Sequence, residues 1–178
     1  MAAPDLSLTD WCVLALVAET PRHGFAVARE LGPGSELGRV WTVARPLVYR
    51  SLDSLAGAGL TEAVRTEEGE RGPTRVVFRA SRVGRTRLQR WLARPIDHPR
   101  DVRVELLVKF VLSVRSGRPC TPLARAQQEQ FVTVAAGLVR AARAAEGSDR
   151  IVARWRLESI RAVDRMLMAV IADEARAR

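Results

Sequence analysis

The sequence predicts a mainly α fold: a winged helix-turn-helix domain of three helices plus a β-hairpin, followed by an all-α dimerisation domain. Three observations predict it. Within residues 8–80, three short helical patterns precede two β-rich runs around a turn bearing Gly and Pro. From residue 100 to residue 178, apart from short turn segments, only helical periodicity is found. The chain also carries 29 Lys and Arg against 20 Asp and Glu, a net charge of +9, which is the footprint of a protein that meets phosphate. The bias to arginine (Lys109 is the only lysine) suits a GC-rich gene, but codon bias does not account for the excess of base over acid.

A chain of 178 residues can bury a proper core in one domain or two small ones. Cys12 and Cys120 lie far apart, with no CxxC and no His/Cys cluster, so both read as thiols outside any disulfide or metal site. The first ten residues lack the basic and apolar regions of a signal peptide. No apolar run nears the roughly 18 residues that span a bilayer, so a cytoplasmic protein without a membrane partner is expected. There is no Gly-rich phosphate loop, no His/Asp/Ser set and no metal-ligand spacing. No catalytic residue, cofactor or metal is therefore expected.

The first helix spans about residues 8–19. Ser7 or Thr9 can cap it, Trp11, Leu14, Ala15, Val17 and Ala18 carry its apolar pattern, and it ends before Pro21. A short second helix follows R-H-G, with Phe25, Ala28 and Leu31 on one face and Gly32 at its end. P-G-S-E-L-G-R-V-W reads as a loop. The third helix lies within residues 41–60. Val48, Leu52 and Leu55 fall at i, i+4, i+7 and form a core stripe, which leaves Arg45, Tyr49, Arg50 and Asp53 facing outward. Pro46 is acceptable only in a first turn, so the helix begins between Thr42 and Arg45, and one of these holds the amino end, where backbone N–H groups favour an anion. Gly59 is placed for the left-handed turn at the carboxyl end.

Thr61–Thr66 and Arg75–Ala80 read as strands around the turn E-E-G-E-R-G-P, a hairpin whose loop is the wing. Residues 81–94 return to helix, with Val83, Leu88, Trp91 and Leu92 apolar and five arginines on other faces. Those arginines can touch DNA or simply solvate the helix. Pro95–Pro99 marks the boundary, giving a DNA-binding domain at 1–95 and a helical domain at 96–178. In the second half Leu106, Leu107, Phe110, Val111 and Val114 sit at helical spacing. A long helix from about Leu123 to Ala145 carries Phe131, Val134 and Leu138. Glu146–Asp149 is a capped turn. The last helix, about Arg150 to Ala175, carries Ile160, Val163, Leu167 and Val170 in the roughly 3.5-residue rhythm of paired helices. Two such helices bury too little alone, so they are expected to pack with a second copy, and a two-fold axis would then set two reading helices on one duplex.

Three stretches carry a resemblance. They are L-S-L-T-D-W-C-V-L-A-L-V-A-E-T-P-R-H-G-F-A-V-A-R-E-L, then W-T-V-A-R-P-L-V-Y-R-S-L-D-S-L-A-G-A-G-L, then G-P-T-R-V-V-F-R-A-S-R-V-G-R-T-R-L-Q-R-W-L. In this order and spacing, over residues 6–94, the chain resembles the PadR-like transcriptional regulators of bacteria. R-V-E-L-L-V-K-F-V-L at 103–112 also resembles the start of the longer helical C-terminal domain of one branch. The resemblance implies a dimeric winged-helix repressor, less often an activator, that dimerises through its C-terminal helices. In some members small molecules such as phenolic acids or drugs release it from DNA. Tyr49 and Arg50 match the family's Tyr-Arg in the recognition helix, Arg75 the basic residue of the wing strand, and His23-Gly24-Phe25 its His-Gly-aromatic entry. Two departures are Ser81 after Ala80 where the family has Thr, and Pro46 inside the recognition helix.

The expected DNA-binding set is Thr42, Arg45, Tyr49, Arg50, Arg71, Thr74 and Arg75. Arg45 can grip a guanine edge with both prongs or contact a phosphate. Arg50, Arg71 and Arg75 suit phosphates. Tyr49 can donate to a phosphate or pack against the wing. Phe110, Phe131, Trp155, Ile160, Val163, Leu167 and Val170 form the expected dimer or ligand set, with Trp155 either in a pocket for a small aromatic or hydrophobic effector or in plain dimer core. The expected function is a homodimeric, sequence-specific regulator on a palindromic operator. The competing reading is a helical adaptor that docks another protein through residues 100–178.

Overall fold

The computed structural model describes residues 5–69 and 72–177. It is mainly helical, with one small antiparallel sheet. Two compact units are present. The first runs to Trp91 and takes in Leu107–Leu112; the second comprises Leu92–Leu106 and the chain from Ser113 onward.

In the first unit, α1 (Leu8–Glu19) begins at Ser7, whose hydroxyl accepts from the Asp10 N–H while the Asp10 carboxylate accepts from the Ser7 N–H. This reciprocal cap satisfies two otherwise orphaned donors. The six residues Cys12–Val17 are all buried. The helix is therefore dry nearly all round, a wider burial than a single apolar stripe provides.

β1 (Arg22–His23) was not foreseen; it pairs antiparallel with Phe78 and Val77. A two-residue strand has no periodicity to detect, and what locates it is Arg22, which bridges to Glu19 at 3.0 Å and Glu30 at 3.4 Å. α2 (Gly24–Glu30) starts at His23, whose Nδ1 accepts from the Ala26 N–H at 3.1 Å. Its expected apolar face is corrected by the structure. Val27 and Leu31 are fully buried, whereas Phe25 is 42 % exposed.

α3 (Arg45–Gly57) buries Val48, Leu52 and Leu55 as its spacing predicts, and Gly59 turns the chain with φ +68°. The hairpin is longer than its β-rich cores. β2 (Thr61–Gly69) and β3 (Gly72–Ala80) pair from Thr61–Ala80 outward, with irregularities after Ala63 and Glu67, and the sheet order is β1-β3-β2. α4 (Arg82–Ala93) is capped by Ser81, whose hydroxyl accepts from the Gly84 N–H and donates to the Gly59 carbonyl. A serine thus does the work that a threonine would do there.

The rings of Trp11 and Trp91 stack at 5.0 Å, only 6° from parallel. Arg87 lies over Trp11 at 5.9 Å, and Lys109 lies over Trp91 at 4.9 Å. Lys109 is 1 % exposed. A buried ammonium is tolerable only with compensating attraction, and a desolvated cation–π contact contributes on the order of 2 kcal/mol.

The second half begins with a short 3₁₀ turn (Pro99–Asp101) and a π-helical turn (Val102–Leu106), which lead into α5 (Leu107–Arg115). The helical spacing of Leu106, Leu107, Phe110, Val111 and Val114 thus spans a π-helical turn and an α-helix, and Val114 is exposed. In the second unit, α6 (Thr121–Ala144) packs along α7 (Gly147–Arg176). Glu174 accepts from both the N–H and the hydroxyl of Thr121, so the far end of α7 caps the start of α6. Gln127 accepts from the Ile96 N–H and donates to its carbonyl, all of it buried. The capped turn expected at Glu146–Asp149 is corrected: Glu146 is the N-cap residue and makes no side-chain cap, and α7 starts at Gly147.

Replacing Trp91 by Ala removes the stack with Trp11 and the ring under Lys109. Urea unfolding should show a loss of about 3 kcal/mol; a loss below about 1 kcal/mol, the scale of an ordinary surface change, would mean the stack contributes little. Burial pushes the Cys12 thiol up to about 12 from 9.0. A folded-state pKa raised in this way favours the protonated form, so its stabilisation is complete below pH 9 and is lost as pH climbs toward 12. Cys12 should therefore resist iodoacetamide near pH 8 in the folded protein and react once unfolded. Fast alkylation without unfolding would contradict its burial.

Candidate nucleic-acid interface

Arg45 is the first residue of α3 and Pro46 the second. Proline there removes a donor that would have been unsatisfied anyway and presets the backbone for helix. Ala44 at the N-cap has no side-chain oxygen to close the end. Pro46 has no N–H to offer and the Leu47 N–H bonds the Ala44 carbonyl at 2.9 Å, so the Arg45 N–H is the first-turn donor left to an external acceptor. Thr42, the other candidate for that end, lies before the helix. It is exposed, but its hydroxyl donates to the Gly38 carbonyl at 2.7 Å and closes the preceding loop.

A hollow of about 400 Å³ opens beside this end. Arg45, Tyr49, Thr74 and Arg75 all line it, together with His23, Gly24 and Phe25. Helix α3 and wing strand β3 therefore present their basic groups to one place. The guanidinium carbon of Arg45 lies 4.9 Å from the Phe25 ring centroid and 5.8 Å from that of Tyr49; that of Arg75 lies 5.3 Å from Phe25. Asp53 adds one carboxylate to the wall.

Tyr49 stands edge-on to Gly24. A Cβ at residue 24 would lie 2.6 Å from Tyr49 Cε1, so only glycine lets the ring seat there. The ring remains 41 % exposed.

Arg50 is not part of this cluster. It faces a separate hollow of about 250 Å³ with Ser7, Thr9, Asp10, Leu47, Ser51 and Ser54. Arg71 lies outside the described residues. Of the other arginines on the wing strands, Arg65 pairs with Glu67 and Arg79 with Glu62, exposed bridges that screen charge and add little stability. Arg45 and Arg75 rest on an aromatic ring instead, and among the described residues no carboxylate pairs with either. Three of the five arginines of residues 81–94 have partners: Arg85 donates to the Ala80 carbonyl, Arg87 lies on Trp11 and Arg94 bridges to Asp97.

Phe25 is the residue that periodicity misplaced. Its spacing with Ala28 and Leu31 suggests core. Two arginines, 20 and 50 positions further along the chain, lie over its ring. The only signal for it was the His-Gly-aromatic string.

Three helices and a hairpin, with arginine at the start of the third helix and on the wing strand, describe a winged helix-turn-helix. The model of the transcriptional regulator PadR-like family matches residues 13–90. The chain carries a PadR-like domain. Among solved structures, Bacillus subtilis PadR in complex with operator DNA is similar at 18 % identity and a TM-score of 0.49, covering 94 % of this chain and 99 % of that one. Bacillus subtilis PadR in complex with p-coumaric acid is 16 % identical, with a TM-score of 0.45 and coverage of 95 % and 99 %. Bacillus subtilis PadR alone is 17 % identical, with a TM-score of 0.43 and coverage of 97 % and 99 %. Comparison with curated proteins gives no match. Among the described residues no helix is long and apolar enough to cross a membrane, and no group of three or more His, Cys, Asp or Glu is placed to hold a metal ion.

Beyond the PadR-like domain, Phe131, Ile160 and Leu167 come together. With Val132, Ala135, Val139 and Leu157 they line a groove of about 410 Å³ between α6 and α7, with Arg161, Asp164 and Arg165 at its edge. Val163 and Val170 are half-buried and do not line it. Phe110 is buried and belongs to the first unit. Trp155 is 68 % exposed and absent from the groove lining.

Changing Gly24 to Ala should drive the Tyr49 ring from its seat at a cost of about 1–3 kcal/mol, as overpacking does. Tyr49 is the only tyrosine, so its ring NMR signals report the displacement directly. Unmoved signals and unchanged stability would show that the backbone yields instead.

Proposed function

We propose that this chain is a sequence-specific DNA-binding regulator of transcription with no catalytic activity. It acts in the cytoplasm as a homodimeric repressor on a palindromic operator. The observation that carries this reading is the convergence of Arg45, from the uncapped end of α3, and Arg75, from the wing strand, on one hollow. A reading helix contacts base edges through its amino-terminal residues while flanking basic groups fix the register on phosphates. Arg45 holds the first of these positions. Arg75 and Arg50 suit the second, and Tyr49 and Thr74 have hydroxyls to donate to the backbone.

In this reading residues 1–95 serve DNA and residues 96–178 serve dimerisation and effector binding. Exposed Val132, Ile151, Val152, Trp155 and Met168 on α6 and α7 provide apolar surface for a second copy, which would set two α3 helices on one duplex. The groove at Phe131, Ile160 and Leu167 is within the usual size of a small-molecule site, roughly 300–1,000 Å³, and is apolar enough for a small aromatic or hydrophobic effector.

The test is a mobility shift on the duplex upstream of the protein's own gene, where an inverted repeat is expected. Affinity should fall on the order of a thousandfold or more between about 50 and 200 mM salt. Arg45→Ala should cost about 1–3 kcal/mol on that duplex and much less on unrelated sequence. Equal losses on both would make Arg45 a phosphate contact. No shift at any salt, with a hetero-complex on gel filtration, would replace the regulator by a helical adaptor.

A further inference from the structure

Phe25 is a large apolar ring left 42 % exposed on a helix whose Val27 is fully buried, as is Leu31 at its end. On its own element the ring stacks only on His23, with centroids 6.3 Å apart and planes 30° from parallel. Over its face lie the guanidinium groups of Arg45 and Arg75, at 4.9 and 5.3 Å. The ring belongs to α2, Arg45 opens α3, and Arg75 sits on β3, so three elements meet at one side chain. Two arginines from separate elements would otherwise sample many rotamers and repel each other. The face of an aromatic ring attracts both forks and restricts their motion. Two like charges held near one ring are then best relieved by an anion or a guanine edge between helix and wing.

We propose that Phe25 is a positioning residue of the DNA interface. Its ring holds Arg45 and Arg75 in fixed mutual placement, so that reading helix and wing engage a duplex in one register. This rests on the DNA-binding reading above and assigns specificity to a side chain with no charge and no hydrogen bond to give. Removing the ring leaves every charge in place and loses only their arrangement. The expected signature is lost discrimination with unchanged salt dependence.

The test uses the full chain as wild type, Phe25→Leu and Phe25→Tyr, with Phe25→Met in place of Leu should that variant unfold. Each is offered a pool of duplexes of about 30 base pairs with a randomised centre, long enough for two half-sites a helical turn apart. Binding to selected and unselected duplex is then measured across salt. Phe25→Leu should lose roughly tenfold or more of the wild-type preference for selected duplex, as expected when preorganisation is lost. Its salt slope should not change, and Phe25→Tyr should keep the preference. In the free protein, the ring-current-shifted Nε–H signals of Arg45 and Arg75 should relax in Leu and persist in Tyr. A Leu variant with full preference overturns the proposal, and so does one whose salt slope falls as if a charge had gone. A wild type that holds no duplex even at low salt overturns the DNA reading instead. The arginine signals then decide on their own whether Phe25 fixes the pair.

Discussion

A helix without a wet face has to be surrounded, and α1 is such a helix. Its buried run Cys12–Val17 packs against α2, α3 and β3. Once α3 lays Val48, Leu52 and Leu55 toward the core, helical geometry leaves Arg45, Tyr49, Arg50 and Asp53 no direction but outward. The outer face of α3 is thus set by what its inner face must bury. The same core holds β3 through Val77, which brings the wing arginine to the side of α3 where Arg45 stands.

Most of this was legible in the residues. The stripe on α3, its end at Gly59, the proline that confines its start, and the hairpin behind it all follow from spacing and backbone chemistry. What escaped has a common cause: it depends on partners distant in the chain. Phe25 looks like core because periodicity records hydrophobicity along one helix and is blind to two arginines arriving from elsewhere. β1 is too short to show a period, and a salt-bridged arginine defines it. The start of α6 is capped by Glu174, 53 residues further on, a pairing that no local pattern reveals.

The arginines divide into classes with different physics. Arg65, Arg79 and Arg94 meet carboxylates at the surface, where water screens both partners and the net gain is small. Arg45 and Arg75 lie on rings, which cost them little hydration and leave N–H donors open. The formal excess of positive charge is therefore concentrated less by where arginines occur in the chain than by which of them meet an acid. Around α3 and the wing it is the ring-held class that faces the hollow.

The single lysine, buried over Trp91, also has a chemical consequence. Every exposed basic side chain of this protein is a guanidinium or an imidazole. Guanidinium stays charged at any pH a cell can reach, so whatever anionic surface the protein meets is attracted with nearly the same strength in mildly acid and alkaline surroundings. Acetylation and other amine-directed modifications, which mute the charge of lysine-rich proteins, have only one side chain here to act upon, and it is 1 % exposed. The basic character of this molecule is in effect locked.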